Sequence, residues 1–225
     1  MHVVLSIGGS SVVPDGKPNI DFLGSLAKVI KESRNSFGIV VGGGTPARMY
    51  ATAVRELGAG EFDADQIAVM CTKTNAKLVL AAIGEMAAGE VLHTFDKARD
   101  AAKHHKVVVM GGTIPGITTD SDAALLAEAI GATRHVNISN VEAIYESDPK
   151  RNPKAKKFET LSYAQLITLA TECDTRTAGT NFVFDMLACR LIARSGIEAH
   201  FVSWKNINEI KNAIEGKKHG GTVVK

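Results

Sequence analysis

Aromatic residues are scarce in this 225-residue sequence (5%), cysteines number three, and 26 basic side chains nearly balance 24 acidic ones. Each shortage excludes something. A net charge of +2 is too mild for a nucleic-acid surface. The one basic run, at 148–157, has only Phe158 beside it to stack on a base, so it reads as a solvated loop. Cys71, Cys173 and Cys189 lie far apart with no metal-ligand spacing and no disulfide framework, and read as buried free thiols of a reducing compartment. The longest clean apolar run, Leu78 to Ile83, falls far short of the roughly 18–20 residues of a membrane span. No basic region precedes the apolar stretch that Gly8-Gly9 cuts short, so no secretory signal is expected and the expected location is cytoplasmic. Several motifs are missing too: G-x-x-x-x-G-K-S/T, a G-x-G-x-x-G opening the first helix, H-E-x-x-H and G-x-S-x-G. The seven histidines, His104-His105 among them, form no ligand pattern.

What is present is a globular composition, 45% hydrophobic and 22% charged. A chain of this length can bury about 70% of its unfolded surface. Short β-like runs alternate with helical patterns, which predicts an α/β fold with a largely parallel sheet. Val3 to Ile7 reads as a buried strand. Leu23, Leu26, Ala27 and Ile30 form a helical stripe behind Asp21 as N-cap, and that stripe is a candidate subunit interface. Gly38 to Val41 is the next strand, and Thr45-Pro46 reads as N-cap and first helical residue. Tyr50, Ala53, Val54 and Leu57 make the apolar stripe of that helix, and Asp65 opens another. Strands follow at 91–92, 107–110, 136–139 and 199–202. Gly220 to Val223 reads as a terminal hairpin or edge strand. The basic loop 148–157 is the one candidate boundary between two halves, about 1–135 and 136–225.

Three strands run directly into glycines: Gly8-Gly9, Gly42-Gly43-Gly44 and Gly111-Gly112. Glycine lets backbone approach a ligand closely. A following helix start offers free N–H groups and a partial positive charge to an anion. In an open parallel sheet, ligands gather at the carboxyl ends of the strands. Three such turns at one edge point to a large polyanionic site, such as two nucleotides facing each other.

These turns sit within a longer ordered set: Ile7-Gly8-Gly9-Ser10, the glycine triplet with Arg48, G-G-T-I-P-G-I-T-T-D at 111–120, Ser139-Asn140-Val141 leading to Tyr145 and Asp148, and Gly221-Thr222. The set resembles the amino acid kinase superfamily, and within it the archaeal-type uridylate kinases, over nearly the whole chain. The resemblance implies a three-layer αβα sandwich around a mostly parallel sheet. It implies transfer of the ATP γ-phosphoryl group to UMP with Mg²⁺, and assembly as dimers and then hexamers. Gly9, Ser10, Gly44 and Arg48 would face the ATP phosphates or the transfer centre. Ser139, Asn140, Tyr145 and Asp148 would line the ATP side. Gly43 and Asp65 would hold UMP, and Gly112, Thr113, Ile114, Pro115, Gly116, Ile117 and Thr118 would wrap its phosphate and base. Asp120 would orient the basic groups or Mg²⁺, Asp185 would sit near the transfer centre, and Asp122 would face solvent. Thr72 and Asn75 match the helix after Asp65.

The chain departs from that pattern in places. Where many relatives carry a lysine before the glycine pair it has Ser6, which leaves charge neutralisation to Arg48, Mg²⁺ or a loop lysine. Glu142-Ala143 replaces Asp-Gly, and Ile117 replaces a polar residue. Thr45-Pro46-Ala47-Arg48 lacks the histidine that isopentenyl phosphate kinases need there. An acceptor phosphate is already anionic near pH 7, its second pKa being about 6, so the reaction needs no general base. The competing expectation is a non-catalytic nucleotide or oxoanion binder on the same fold.

Overall fold

The computed structural model describes residues 1–147, 149, 152, 154–174 and 184–225. Its strands are β1 (His2–Ile7), β2 (Ser36–Val41), β3 (Ala87–Leu92), β4 (Val107–Met110), β5 (Arg134–Ser139), β6 (Thr160–Leu161), β7 (Glu198–Ser203) and β8 (Thr222–Val224). The helices are α1 (Gly9–Val12), α2 (Ile20–Glu32), α3 (Gly44–Glu56), α4 (Glu61–Ile83), α5 (Phe95–Ala101), α6 (Thr119–Ile130), α7 (Tyr163–Asp174), α8 (Met186–Ser195) and α9 (Ile207–Glu215). One sheet runs in the order β3-β4-β2-β1-β5-β7-β8-β6. Pairings from β3 through to β7 are parallel, and β8 lies antiparallel to β7.

Strand alternation sorts the core into two layers. Val3, Leu5 and Ile7 of β1 pack with Phe22, Leu26, Val79, Ile210 and Ile214 on one face. Val4, Val40, Val108 and Met110 pack with Leu126, Phe184, Ile192 and Phe201 on the other. The αβα sandwich is therefore present. After β1 the chain builds β2, β3 and β4 on one side of it, then crosses to β5 on the other. That reversal places the topological switch at the carboxyl end of β1, where an open sheet parts to receive a ligand.

Several local readings are corrected. Asn19, not Asp21, caps α2 by accepting the N–H of Phe22, and Asp21 lies in the first turn. Helix α3 starts at Gly44 with Gly43 as its N-cap, so Thr45 lies inside the helix rather than capping it, and Gly44 takes a left-handed φ of +65 against Gly9. Helix α4 starts at Glu61, so Asp65 is a full turn inside it. The stripe on α2 faces the core (Phe22, Leu23, Leu26, Val29, Ile30), whereas Tyr50 and Leu57 on α3 face outward. Strand β8 lies inside the sheet, with the two-residue β6 at the edge. Residues 61–86 are long and apolar enough, by length and composition, to cross a membrane, with 33% of an apolar 18-residue window within them buried. Lys73 and Lys77 interrupt that stretch, which hides it from a reading by clean runs. Cys189 is buried and Cys71 half-buried, as free thiols.

Candidate active site

Three helix starts converge at the switch point. The first N–H groups of a helix have no intrahelical acceptor. Gly9 and Ser10 open α1, Gly44 opens α3, and Thr119 and Asp120 open α6. All five line one cavity of about 260 Å³, together with Ser6, Gly8, Gly42, Gly43, Arg48, Asn137 and Ser139. A second cavity, of about 230 Å³, is lined by Arg48, Asp65, Thr72, Gly112 and the loop Ile114, Pro115, Gly116 and Ile117. The two share Gly43, Gly44, Arg48 and Thr119. Arg48 is the one cationic side chain among the described residues lining either, and its Nη2 donates to Thr45 Oγ1 at 3.2 Å.

The walls are pinned from α4. Asn75 Nδ2 donates to the carbonyls of Gly42 and Gly43 at 2.8 and 3.0 Å. Thr72 Oγ1 accepts the N–H of Gly112 at 2.7 Å and donates to Val69 O. Asp65 Oδ2 accepts the N–H of Gly116 at 2.9 Å, so Asp65 fastens the loop rather than capping a helix.

Asp120 is organised by sheet register. Ser6 and Asn137 are partners across β1 and β5 and point to the α6 face. Ser6 Oγ and Asn137 Nδ2 both donate to Asp120 Oδ1, at 2.7 and 2.9 Å. Burial raises the Asp120 carboxyl to about 7 against the pull of those hydrogen bonds, and the nearby Asp185 charge adds to the rise. Asp185 caps α8 by accepting the N–H of Ala188 at 2.9 Å, and it also accepts the hydroxyls of Ser121 and Thr118. The expectation for Asp122 is overturned. It is fully buried, and both its oxygens accept from Thr113. The N–H donors of Gly112, Thr113 and Gly116 are therefore taken by protein acceptors.

Toward β7, Ser139 lines the first cavity while Asn140 and Tyr145 line neither of the two. Asp148 lies outside the described residues, as do Lys150 and Arg151. A third cavity, of about 240 Å³, adjoins the ends of β7 and β8, with Glu142, Lys157, Lys205, Asn206 and Glu209 among its lining. Lys157 Nζ donates to Gly220 O at 2.6 Å, so it is the described lysine of the basic loop with a fixed place at that edge.

Residues 1–203 match the model of the amino acid kinase family. The chain belongs to the amino acid kinase family. It is similar to the uridylate kinase of Thermococcus kodakarensis, 41% identical over 100% of this chain and 99% of that protein. It is 40% identical to the uridylate kinase of Archaeoglobus fulgidus over 99% of this chain and 100% of that one. The crystal structure of uridylate kinase from that organism superposes with a TM-score of 0.86 over 100% of both chains, at 40% identity. UMP kinase from Bacillus anthracis shares the fold at 19% identity, with a TM-score of 0.81 over 99% of this chain and 95% of that one.

Amino acid kinase chemistry calls for a cation at the phosphates, and the donor set bears on how a metal would be held. Among the described residues no three His, Cys, Asp or Glu side chains converge on a metal position. The first cavity offers N–H groups, hydroxyls, one amide, one guanidinium and a single carboxylate, that of Asp120. Such donors suit a Mg²⁺ that is carried by phosphate oxygens and water rather than by a protein cage.

Proposed function

We propose that this protein is a nucleoside monophosphate kinase that transfers the γ-phosphoryl group of ATP to UMP, giving UDP and ADP. A phosphate oxygen of UMP forms the new P–O bond as the bond to the ADP oxygen breaks. The observation that carries the reading is the pair of cavities meeting at Gly43, Gly44, Arg48 and Thr119. Two anionic ligands, one per cavity, would bring their phosphates together under Arg48 and at the starts of α1, α3 and α6. Mg²⁺ arriving with ATP would neutralise charge as the phosphoryl group moves. The chain's own part is to position and to donate hydrogen bonds, which is most of phosphoryl-transfer catalysis. The names of the relatives support UMP as acceptor. In this reading residues 1–135 form the acceptor-side half and 136–225 the ATP-side half of one domain. The enzyme works in the cytoplasm and supplies pyrimidine nucleotide synthesis.

The test is ADP release from ATP and Mg²⁺ with UMP, CMP, AMP, GMP, dUMP or isopentenyl phosphate, one acceptor per reaction. Turnover with UMP far above the rest is expected. Background rates with every acceptor, while UMP or ATP still raise the melting temperature, would leave a non-catalytic binder.

The working form is a homo-oligomer built from dimers, a hexamer in full assembly. Five large apolar side chains stand exposed on the packed pair α3 and α4 and the turn between them: Met49 (64%), Tyr50 (56%), Leu57 (86%), Phe62 (63%) and Met70 (65%). Exposed apolar residues gathered on one pair of helices mark an interaction surface. A second copy is the partner that these helices fit, which also accounts for an apolar α4 only partly covered within one chain. The double substitution Leu57→Asp and Phe62→Asp should shift the sedimentation profile toward smaller species while leaving the circular dichroism spectrum of the fold intact. An unchanged profile would place the interface elsewhere.

A further inference from the structure

Four side chains fasten the loop that runs from β4 to α6. Thr72 holds the N–H of Gly112, Asp65 that of Gly116, and Asp185 the hydroxyl of Thr118. The fourth, Asp122, differs from the other two acids in being fully buried. Its Oδ2 accepts the Thr113 N–H at 3.0 Å and its Oδ1 accepts the Thr113 hydroxyl at 2.6 Å. Taking a carboxylate out of water is costly unless each oxygen is matched by a donor. Here one residue supplies both donors, and the first turn of α6 favours negative charge. Thr113 is thereby turned inward, and the four residues after it line the acceptor cavity.

We infer that Asp122 is a positioning residue for the acceptor nucleotide: by holding the N–H and hydroxyl of Thr113 it sets the course of the acceptor loop, and its protonation loosens that loop. The inference rests on the reading of this cavity as the acceptor's. The charged groups that face Asp122 are Lys73 from α4, which favours its ionised form, and Asp185 at the head of α8, which opposes it. Burial raises the carboxyl to about 6, against the pull of the bonds from Thr113. Below that pH the carboxyl is neutral: its new hydroxyl donates to Thr113 Oγ1 instead of accepting from it, and both bonds to Thr113 lose the charge that strengthens them.

Stability follows the opposite sign. The folded-state value lies above the ordinary 3.8. As pH falls from about 6 toward 4 the folded state takes up the proton first, so this group adds to stability over that window rather than subtracting from it. Acceptor affinity that weakens while the fold does not is a signature that a purely structural carboxylate lacks.

The experiment is calorimetric binding of UMP, and separately of ATP, from pH 5 to 8, with the unsubstituted protein and Asp122→Asn. The UMP phosphate itself ionises near about 6, but it does so with both proteins and cancels in the ratio of their affinities. At pH 8 the variant should bind UMP about fivefold more weakly, because a neutral amide replaces two charge-assisted bonds. The gap should close toward pH 5, and ATP binding should change less than about twofold, because none of residues 112–118 lines the ATP-side cavity. Should Asp122→Asn not fold, Thr113→Ala should weaken UMP binding with ATP spared, and Thr113→Ser should restore it. A ratio flat from pH 5 to 8, or equal weakening of ATP and UMP, would overturn the inference. Binding of UMP by neither protein at any pH would remove the reading of the cavity, and the inference with it.

Discussion

Arg48→Ala should lower kcat for UMP phosphorylation by about 10²–10³ while leaving the melting temperature nearly unchanged. Arg48 sits one turn into α3, exposed, between the two cavities that we assign to acceptor and donor. Among the described residues its one hydrogen bond is to Thr45, which leaves most of its five N–H donors for oxygen atoms of a ligand. Among the described residues no other cationic side chain lines either cavity. Arg48 and the backbone N–H groups are, among the described residues, what meets charge on the transferring phosphoryl group beside the metal. In phosphoryl transfer one such arginine is worth about 10³–10⁵, and the helix starts and metal retain part of that here. Removing an exposed side chain of this kind costs stability no more than about 0.5 kcal/mol. Arg48→Lys should fall between, since it keeps the charge but loses the planar fork. Steady-state ADP release with UMP checks the series. An alanine variant that retains a third of the original kcat would show that the guanidinium does not serve the transfer.

Much of this site could be read from the chain because glycine marks it. Gly8-Gly9, Gly42–Gly44 and Gly111-Gly112 each end a strand, and the sheet does set their turns along one edge. The carboxylates were harder to read. Asp120 needs Ser6 and Asn137, which lie far apart along the chain and meet only through the pairing of β1 with β5. The one local hint was a serine inside the buried run Val3 to Ile7. Asp122 in a first helical turn has the usual mark of a solvated acid, and nothing nearby in sequence says that Thr113 folds back onto it. Apolar stripes misled for a different reason. A helical stripe reports that a face is covered, not by what. The α2 stripe is covered by this chain's own core, whereas Tyr50 and Leu57 of α3 stand outside it. The chain His219, His200, Glu198 and Arg134, half-buried around the buried His200 and linking β5, β7 and the turn before β8, has no sequence signature at all.

The glycines that made the site legible also carry a large expected loss. A Cβ on Gly9 would meet the N of Gly44 well inside contact distance, and the carbonyl oxygen and carbon of Gly42 at 2.5 and 2.6 Å. All three are backbone atoms, so no side chain can rotate away to make room. The turns after β1 and β2 touch through bare backbone, and this is what lets N–H groups from α1 and α3 share one cavity. Gly9→Ala must therefore part the two turns. The overpacking should cost about 1–3 kcal/mol. For a chain of this size that is about 2–4 °C in melting temperature per kcal/mol. The loss of turnover should be larger in proportion, about 10²-fold, because misplacement by about 1 Å spoils in-line alignment. Gly24→Ala is the matched control. Gly24 lies exposed inside α2 with no atom within 4 Å of its Cβ position, and its φ is not left-handed. That substitution should stabilise by about 0.4–1 kcal/mol and leave turnover alone, since it only restricts the unfolded chain. Thermal melts and ADP release on both variants decide the matter. If Gly9→Ala melts and turns over like Gly24→Ala, the close approach of the two turns is not what holds the phosphates.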